Sequence, residues 1–160
     1  MEYAAMTTPL DDADAVLLRE LQADARQTNR ALAKATDLAP STTLARVRDL
    51  EERQIITGYH AEVDLAALGR GLQALVFVRL QPKSQEIING FIDHVWAMPE
   101  TISVDLITGI EDAIIHLAVA DAEALQRVIM DKISGYPGVF DERTSLLFTH
   151  RRRQVIEPLR

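Results

Sequence analysis

The chain is 160 residues long, 48% hydrophobic and 26% charged, with a formal net charge of −7. That length suits one medium domain or two small ones, and the acidity argues against a protein that coats nucleic acid by charge alone. With no cysteine, disulfides, thiolate metal sites and cysteine nucleophiles are excluded, and a reducing cytoplasm fits. No apolar run approaches the roughly 18 residues that span a bilayer, so no membrane partner is expected. The start, MEYAAMTTPLDDAD, lacks the basic-then-apolar order of a signal peptide and reads as a loose arm over residues 1–9.

The first half has a helical period. In LDDADAVLLRELQADA, Ala13, Leu17 and Leu21 recur every four residues, with Val16 and Leu18 widening the stripe. Asp11, Asp12 and Asp14 suit the positive end of its dipole. TNRALAKATDL predicts a second short helix with Leu32, Ala33 and Ala35 as its inner residues, and Asp37 can take the left-handed conformation of a tight turn. Pro40 suits the first turn of a third helix, on which Leu44, Val47 and Leu50 make a buried stripe. Ser41, Thr42, Ala45, Arg46, Arg48 and Asp49 are left facing outward. Three short helices, the last two about four residues apart, form a minimal helix-turn-helix. Short hydroxyl side chains at the start of its last helix permit close approach to DNA, and arginines a turn later reach phosphate or guanine. The same residues also fit an ordinary helix start with solvated arginines. Charge is distributed unevenly. Arg26, Arg30, Lys34, Arg46 and Arg48 lie in a window that holds a single acid, Asp37, so an acidic body can carry one basic face.

The second half changes period. LQALVFVRL reads as a strand, SQEIINGFIDHVWAM as a helix buried along Ile87, Ile88, Phe91, Ile92, Val95 and Trp96, and TISVDLITG with DAIIHLAVA as two strands joined around Gly109. AEALQRVIMDKISGY is again helical, and VFDERTSLLFT closes as a strand. The order β-α-β-β-α-β predicts a ferredoxin-like sandwich with helices on one face. Residues 59–71 supply a linker strand and turn. Apolar residues such as Leu106, Ile115 or Leu117 on the uncovered face invite a second copy of the chain. The expected organisation is an α+β chain: a winged or plain helix-turn-helix over residues 10–58, the linker, a sandwich over 72–150 and a basic tail over 151–160.

LDDADAVLLRELQADAR, LAPSTTLARVRDLEERQIITGYHAEVD, TGIED and YPGV, in that order, resemble the Lrp/AsnC (feast/famine) transcription regulators over roughly residues 10–149. The resemblance implies an amino-terminal head on a pseudo-palindromic double-stranded DNA operator and a sandwich that senses an effector, most plausibly an amino acid. It also implies homodimers that assemble further. Carried over residue by residue, it places Ser41, Thr42, Thr43 and Arg46 on the exposed start of the recognition helix and makes Arg48 a phosphate contact; Arg30 joins them from the local basic face. Thr108, Gly109 and Asp112 fall on the hairpin near the effector, where Asp112 can meet an ammonium group and Gly109 allows close approach. Gly109 can equally just make the turn, with Asp112 capping it. The chain departs from the family pattern at Asp37, Ala39, Gln54 and Ala113, where Gly, Ser, Gly and an aromatic residue are usual.

Other features yield less. His60, His94, His116 and His150 lack metal-ligand spacing, no carboxylate pair is marked as an acid/base couple, and GRG at 69–71 is not a phosphate loop. Neither metal, cofactor nor catalytic residue is expected. HRRR at 150–153 fits either a nucleic-acid or acidic partner or a solvated charge run. Two other functions stay open: a metabolite-binding oligomer with a degenerate head, and an enzyme resembling siroheme decarboxylases.

Overall fold

The computed structural model describes residues 9–159, so most of the expected arm lies outside the described residues. They fall into two compact units: the residues up to Glu62 together with the segment from Arg151, and Val63–His150. The tail therefore groups with the head.

The head is built from α1 (Asp12–Ala23), α2 (Asn29–Thr36) and α3 (Pro40–Glu52). A capping box opens α1, in which Asp11 accepts from the Asp14 N–H and Asp14 accepts from the Asp11 N–H. Leu17, Leu32 and Leu50 form the core, with Leu10, Leu18, Leu21, Val47, Ile55 and Ile56 packed around them. Ala35, expected inside, is exposed.

At the end of α3 the chain turns through Gln54, at φ 56°, and the Ile55 and Ile56 amides bond the Leu50 carbonyl at 2.9 and 3.1 Å. Glycine is the natural residue at such a left-handed position. Gln54→Gly is expected to stabilise the head by about 0.5–1 kcal/mol, read as a raised melting temperature.

The second unit carries β1 (Leu72–Leu80), α4 (Gln85–Trp96), β2 (Thr101–Leu106), β3 (Ala113–Val119), α5 (Ala122–Val128) and β4 (Val139–Leu146). The antiparallel sheet has the order β2-β3-β1-β4, the expected ferredoxin-like sandwich. Ala74, Val76, Val78 and Leu80 alternate into the core against Phe91 and Val95 of α4 and Leu125 and Val128 of α5. A π-helical stretch, Ile129–Ser134, follows α5. Its wider turn explains why Val128 and Ile133, five residues apart, are both buried, a spacing that an α-helix would splay around its surface.

Three expectations need correcting. The linker strand does not form: residues 57–64 are exposed and without strand structure, their backbone polar groups left to water in the absence of a neighbouring strand. Trp96 is 64% exposed at the end of α4, beyond the reach of the sheet. Ile115 and Leu117 are buried beneath the helices. Because strand side chains alternate, the uncovered face carries their neighbours Ile114 and His116 with Leu75 and Phe77; Leu106 is exposed near the strand's end.

Candidate nucleic-acid interface and effector surface

The two helices of the motif are set against each other at their starts. Asn29 Nδ2 donates to the Pro40 carbonyl at 2.8 Å. Asp37 takes the left-handed conformation (φ 55°, ψ 36°), and the Leu38 amide reaches back to the Ala33 carbonyl at 3.1 Å. Ala39 caps α3 with no side-chain bond and Pro40 follows at its first turn.

Ser41, Thr42, Ala45 and Arg48 are exposed on the outer side of α3, and Arg30 is exposed on α2. The Arg26, Arg30, Lys34 and Arg48 side chains make no ion pair among the described residues. Two expected members of the edge turn inward. Thr43 is 0% exposed, and its Oγ1 donates to the Ala39 carbonyl at 3.1 Å, which satisfies the hydroxyl and lets it be buried. The inner stripe of α3 is thus Thr43, Val47 and Leu50, one residue out of step with the expected Leu44, Val47 and Leu50. Leu44, 40% exposed, lies on the outer side instead. Arg46 is the second correction. Its Nη1 stands 2.8 Å from Asp11 Oδ2 and 2.8 Å from Asp14 Oδ1, clamping α3 to the start of α1. The Asp14 amide first, and Arg46 next among the stabilising contacts, hold the Asp11 carboxyl below the usual range.

The hairpin of residues 107–112 joins β2 to β3. Thr108, Gly109 and Ile110 are exposed, and Gly109 sits at φ 136°, a conformation that side chains disfavour. Asp112 is 8% exposed and fully engaged. One carboxylate oxygen accepts from the Leu80 amide at 2.9 Å and the other stands 2.7 Å from Lys83 Nζ. Burial alone would push this carboxyl up, but the Lys83 and Leu80 hydrogen bonds outweigh it and the net shift is downward. Asp112 therefore fastens the hairpin to β1 and is not a free carboxylate. Since Lys83 is largely exposed, most of the stabilisation comes from satisfying the buried Leu80 amide. Asp112→Ala is expected to cost about 1–3 kcal/mol at pH 7 in denaturant titrations. A depressed native pKa stabilises above the unfolded value near 4, so the difference from the parent shrinks as pH falls through the native pKa.

Beside the hairpin, Phe77, Arg79, Ile110, Glu111, Asp141 and Arg143 line a depression of about 170 Å³. Arg143 pairs with Glu111 at 2.9 Å and its guanidinium lies 4.9 Å from the Phe77 ring centroid; Arg79 stands 3.8 Å from Asp141. Sequence reasoning missed this group, although Phe77 and Arg79 share one strand face by alternation. A larger cleft, about 480 Å³, lies at the far end of β3 and is lined by residues including Glu100, Val119, Arg127 and Lys132. Thr108, Gly109 and Asp112 do not line it. On the open sheet face, His116 Nε2 lies 2.9 Å from Gln73 Oε1, and the His116 and His150 ring centroids are 5.4 Å apart. Burial, then the nearby His150, lowers the His116 pKa. No group of three metal-type side chains converges among the described residues.

Residues 73–155 match the family description "Lrp/AsnC ligand binding domain", and residues 10–57 match "Winged helix-turn-helix DNA-binding". The chain belongs to the Lrp/AsnC family. It is a DNA-binding transcriptional regulator with a domain for a small-molecule effector. The HTH-type transcriptional regulator AldR of Mycolicibacterium smegmatis is 39% identical over 143 residues, 89% of this chain and 84% of that protein. Transcriptional regulator AzlB of Bacillus subtilis is 31% identical over 150 residues, 94% of this chain and 96% of its own. Among solved structures, a Neisseria meningitidis transcriptional regulator in complex with L-Met superposes with a TM-score of 0.84 at 28% identity, covering 91% of this chain and 94% of that one. No described helix is long and apolar enough to cross a membrane.

Proposed function

We propose that the chain is a cytoplasmic, dimeric regulator in which α3 reads a pseudo-palindromic operator and the sandwich answers an amino acid. The observation that carries this reading is the outer side of α3. Ser41 and Thr42 stand at its start, Leu44 one turn in, and Arg48 beyond them with no ion-pair partner among the described residues. Short hydroxyls permit close approach, an apolar side chain suits a thymine methyl, and a free guanidinium suits phosphate or guanine.

The uncovered sheet face supplies the second half. Leu75, Phe77 and Ile114 are only half-buried there, and pairing with another copy would remove them from water. Two heads then read two half-sites about one helical turn, roughly 34 Å, apart. Larger assemblies would add dimers to this unit.

The effector would bind beside Thr108 and Gly109, where Arg79 and Arg143 suit a carboxylate, Glu111 and Asp141 an ammonium group, and Phe77 and Ile110 an apolar side chain. The L-Met complex of the Neisseria meningitidis regulator supports an amino acid as the class. Binding there would shift the population of assemblies and so the spacing of the heads.

Arg48→Ala tests the reading edge. It is expected to weaken operator binding by about tenfold or more, the ~1–3 kcal/mol of one good contact, with an unchanged melting temperature. Full retention of operator affinity would remove α3 from the interface.

A further inference from the structure

The tail lies with the head, and its three consecutive arginines, Arg151, Arg152 and Arg153, are exposed. Gln22 of α1 holds the tail backbone by a reciprocal pair: Gln22 Nε2 donates to the Ile156 carbonyl at 3.0 Å, and the Ile156 amide donates to Gln22 Oε1 at 3.0 Å. Gln154 Nε2 adds a hydrogen bond to the Glu62 carboxylate, on the segment that follows α3. Fastened this way, residues 151–157 belong to the head unit. Arg151, Arg152 and Arg153 are exposed and have no ion pair or side-chain hydrogen bond among the described residues. The fasteners use Gln22, Gln154 and the Ile156 backbone, so they leave all three guanidinium groups available.

Three adjacent exposed like charges repel one another weakly in water and salt, and together they raise the local attraction for an anion. In a chain of net charge −7 the same unit also carries Arg26, Arg30, Lys34 and Arg48, which make no ion pair among the described residues. Phosphate is the ligand that a row of guanidinium groups fits, through paired N–H donors. A fastened segment also loses less freedom on binding than a free tail would.

We propose that the segment Arg151–Glu157 is a second DNA-contacting element of the head, with Arg151, Arg152 and Arg153 binding phosphates of the duplex that α3 reads. This rests on the DNA-binding reading above and extends it. Phosphate contacts carry no base information. The tail therefore strengthens binding to operator and unrelated duplex alike and sets the salt dependence, while α3 sets the choice of sequence.

The test compares the parent with Arg151→Ala/Arg152→Ala/Arg153→Ala, the triple Lys counterpart and Gln22→Ala. Fluorescence anisotropy follows binding to a selected genomic duplex and its scramble over 50–300 mM salt. Removing the arginines is expected to make the plot of log affinity against log salt shallower by up to about 2.7 per protomer, at about 0.9 per phosphate lost. Affinity for both duplexes falls by a similar factor, about tenfold or more at ~150 mM salt, and their ratio is kept. Lysines restore the slope, because each keeps its charge. Gln22→Ala falls between, as the arginines remain but their anchor is gone. An unchanged slope in the triple Ala variant, or a loss explained by a changed assembly mass in light scattering, overturns the tail's role and leaves α3's intact. A parent protein that prefers no genomic duplex over its scramble overturns the operator reading, and the tail proposal with it.

Discussion

Arg46→Ala is expected to lower the melting temperature of the head by about 5–15 °C, the effect of roughly 1–3 kcal/mol on a unit of this size. Arg46 is the cation between Asp11 and Asp14, and the Asp14 side chain is only 9% exposed. Removing the guanidinium leaves a carboxylate facing the α1–α3 contact with its principal partner gone, and such uncompensated charge is strongly disfavoured. The lower part of the range reflects Asp11, half-exposed and screened by solvent. Since the three-helix core rests on Leu17, Leu32 and Leu50, a loss of this size is a large share of the head's stability. DNA binding should therefore fail through unfolding, most visibly near physiological temperature. Arg46→Met combined with Asp14→Leu, which removes both charges, should recover much of the loss. An unchanged melting temperature with lost operator affinity would return Arg46 to the DNA-reading edge.

If the proposed dimer pairs through this face, Leu75→Asp with Ile114→Asp is expected to yield monomers and to weaken operator binding about 100-fold or more, because half-sites bound singly lose the advantage of a linked pair. Both side chains lie on the sheet face that no helix covers. Four carboxylates brought together in a two-fold interface would be buried without partners and would repel one another. Each protomer should keep its fold, since the core of the sandwich is on the opposite face around Val76, Ile115 and Leu117. Sedimentation and anisotropy separate the two effects. A double variant that remains dimeric would place the interface elsewhere.

Where one periodicity dominates, the sequence was a good guide. The short Val-, Phe- and Leu-rich run Leu72–Leu80 and the apolar spacing of Gln85–Trp96 identify both elements, and the helical stripe includes the core residues Phe91 and Val95. Asp37 and Gln54 were recognised as unusual residues at helix ends, and both adopt positive φ. Near Pro40 the guide weakened. Leu44 is more apolar than Thr43, so hydrophobicity favoured Leu44 for the core, yet a threonine that bonds its own helix carbonyl is buried as readily. Arg46 looked like a DNA contact because its acidic partners lie more than thirty residues earlier, and a sequence window does not reveal which distant carboxylates fold against an arginine. For Asp112 the sequence leaves a ligand contact and a structural cap both open, because the partner that engages it, the Leu80 amide, lies on another strand. The parity of β3 is hidden in the sequence: Ile114, Ile115 and Leu117 are all apolar, so composition does not say which side meets the helices. The return of the tail to Gln22 leaves no local signal.

The most direct test of the central claim, that α3 reads a defined operator as one half of a dimer, is a selection of sheared genomic DNA by the purified protein at physiological salt, with and without pooled amino acids. A small set of fragments sharing a pseudo-palindrome whose half-sites lie about one helical turn apart is expected, with enrichment that changes when amino acids are added and collapses in Arg48→Ala. Fragments with no shared sequence, recovered equally by the parent and by Arg48→Ala, would contradict it.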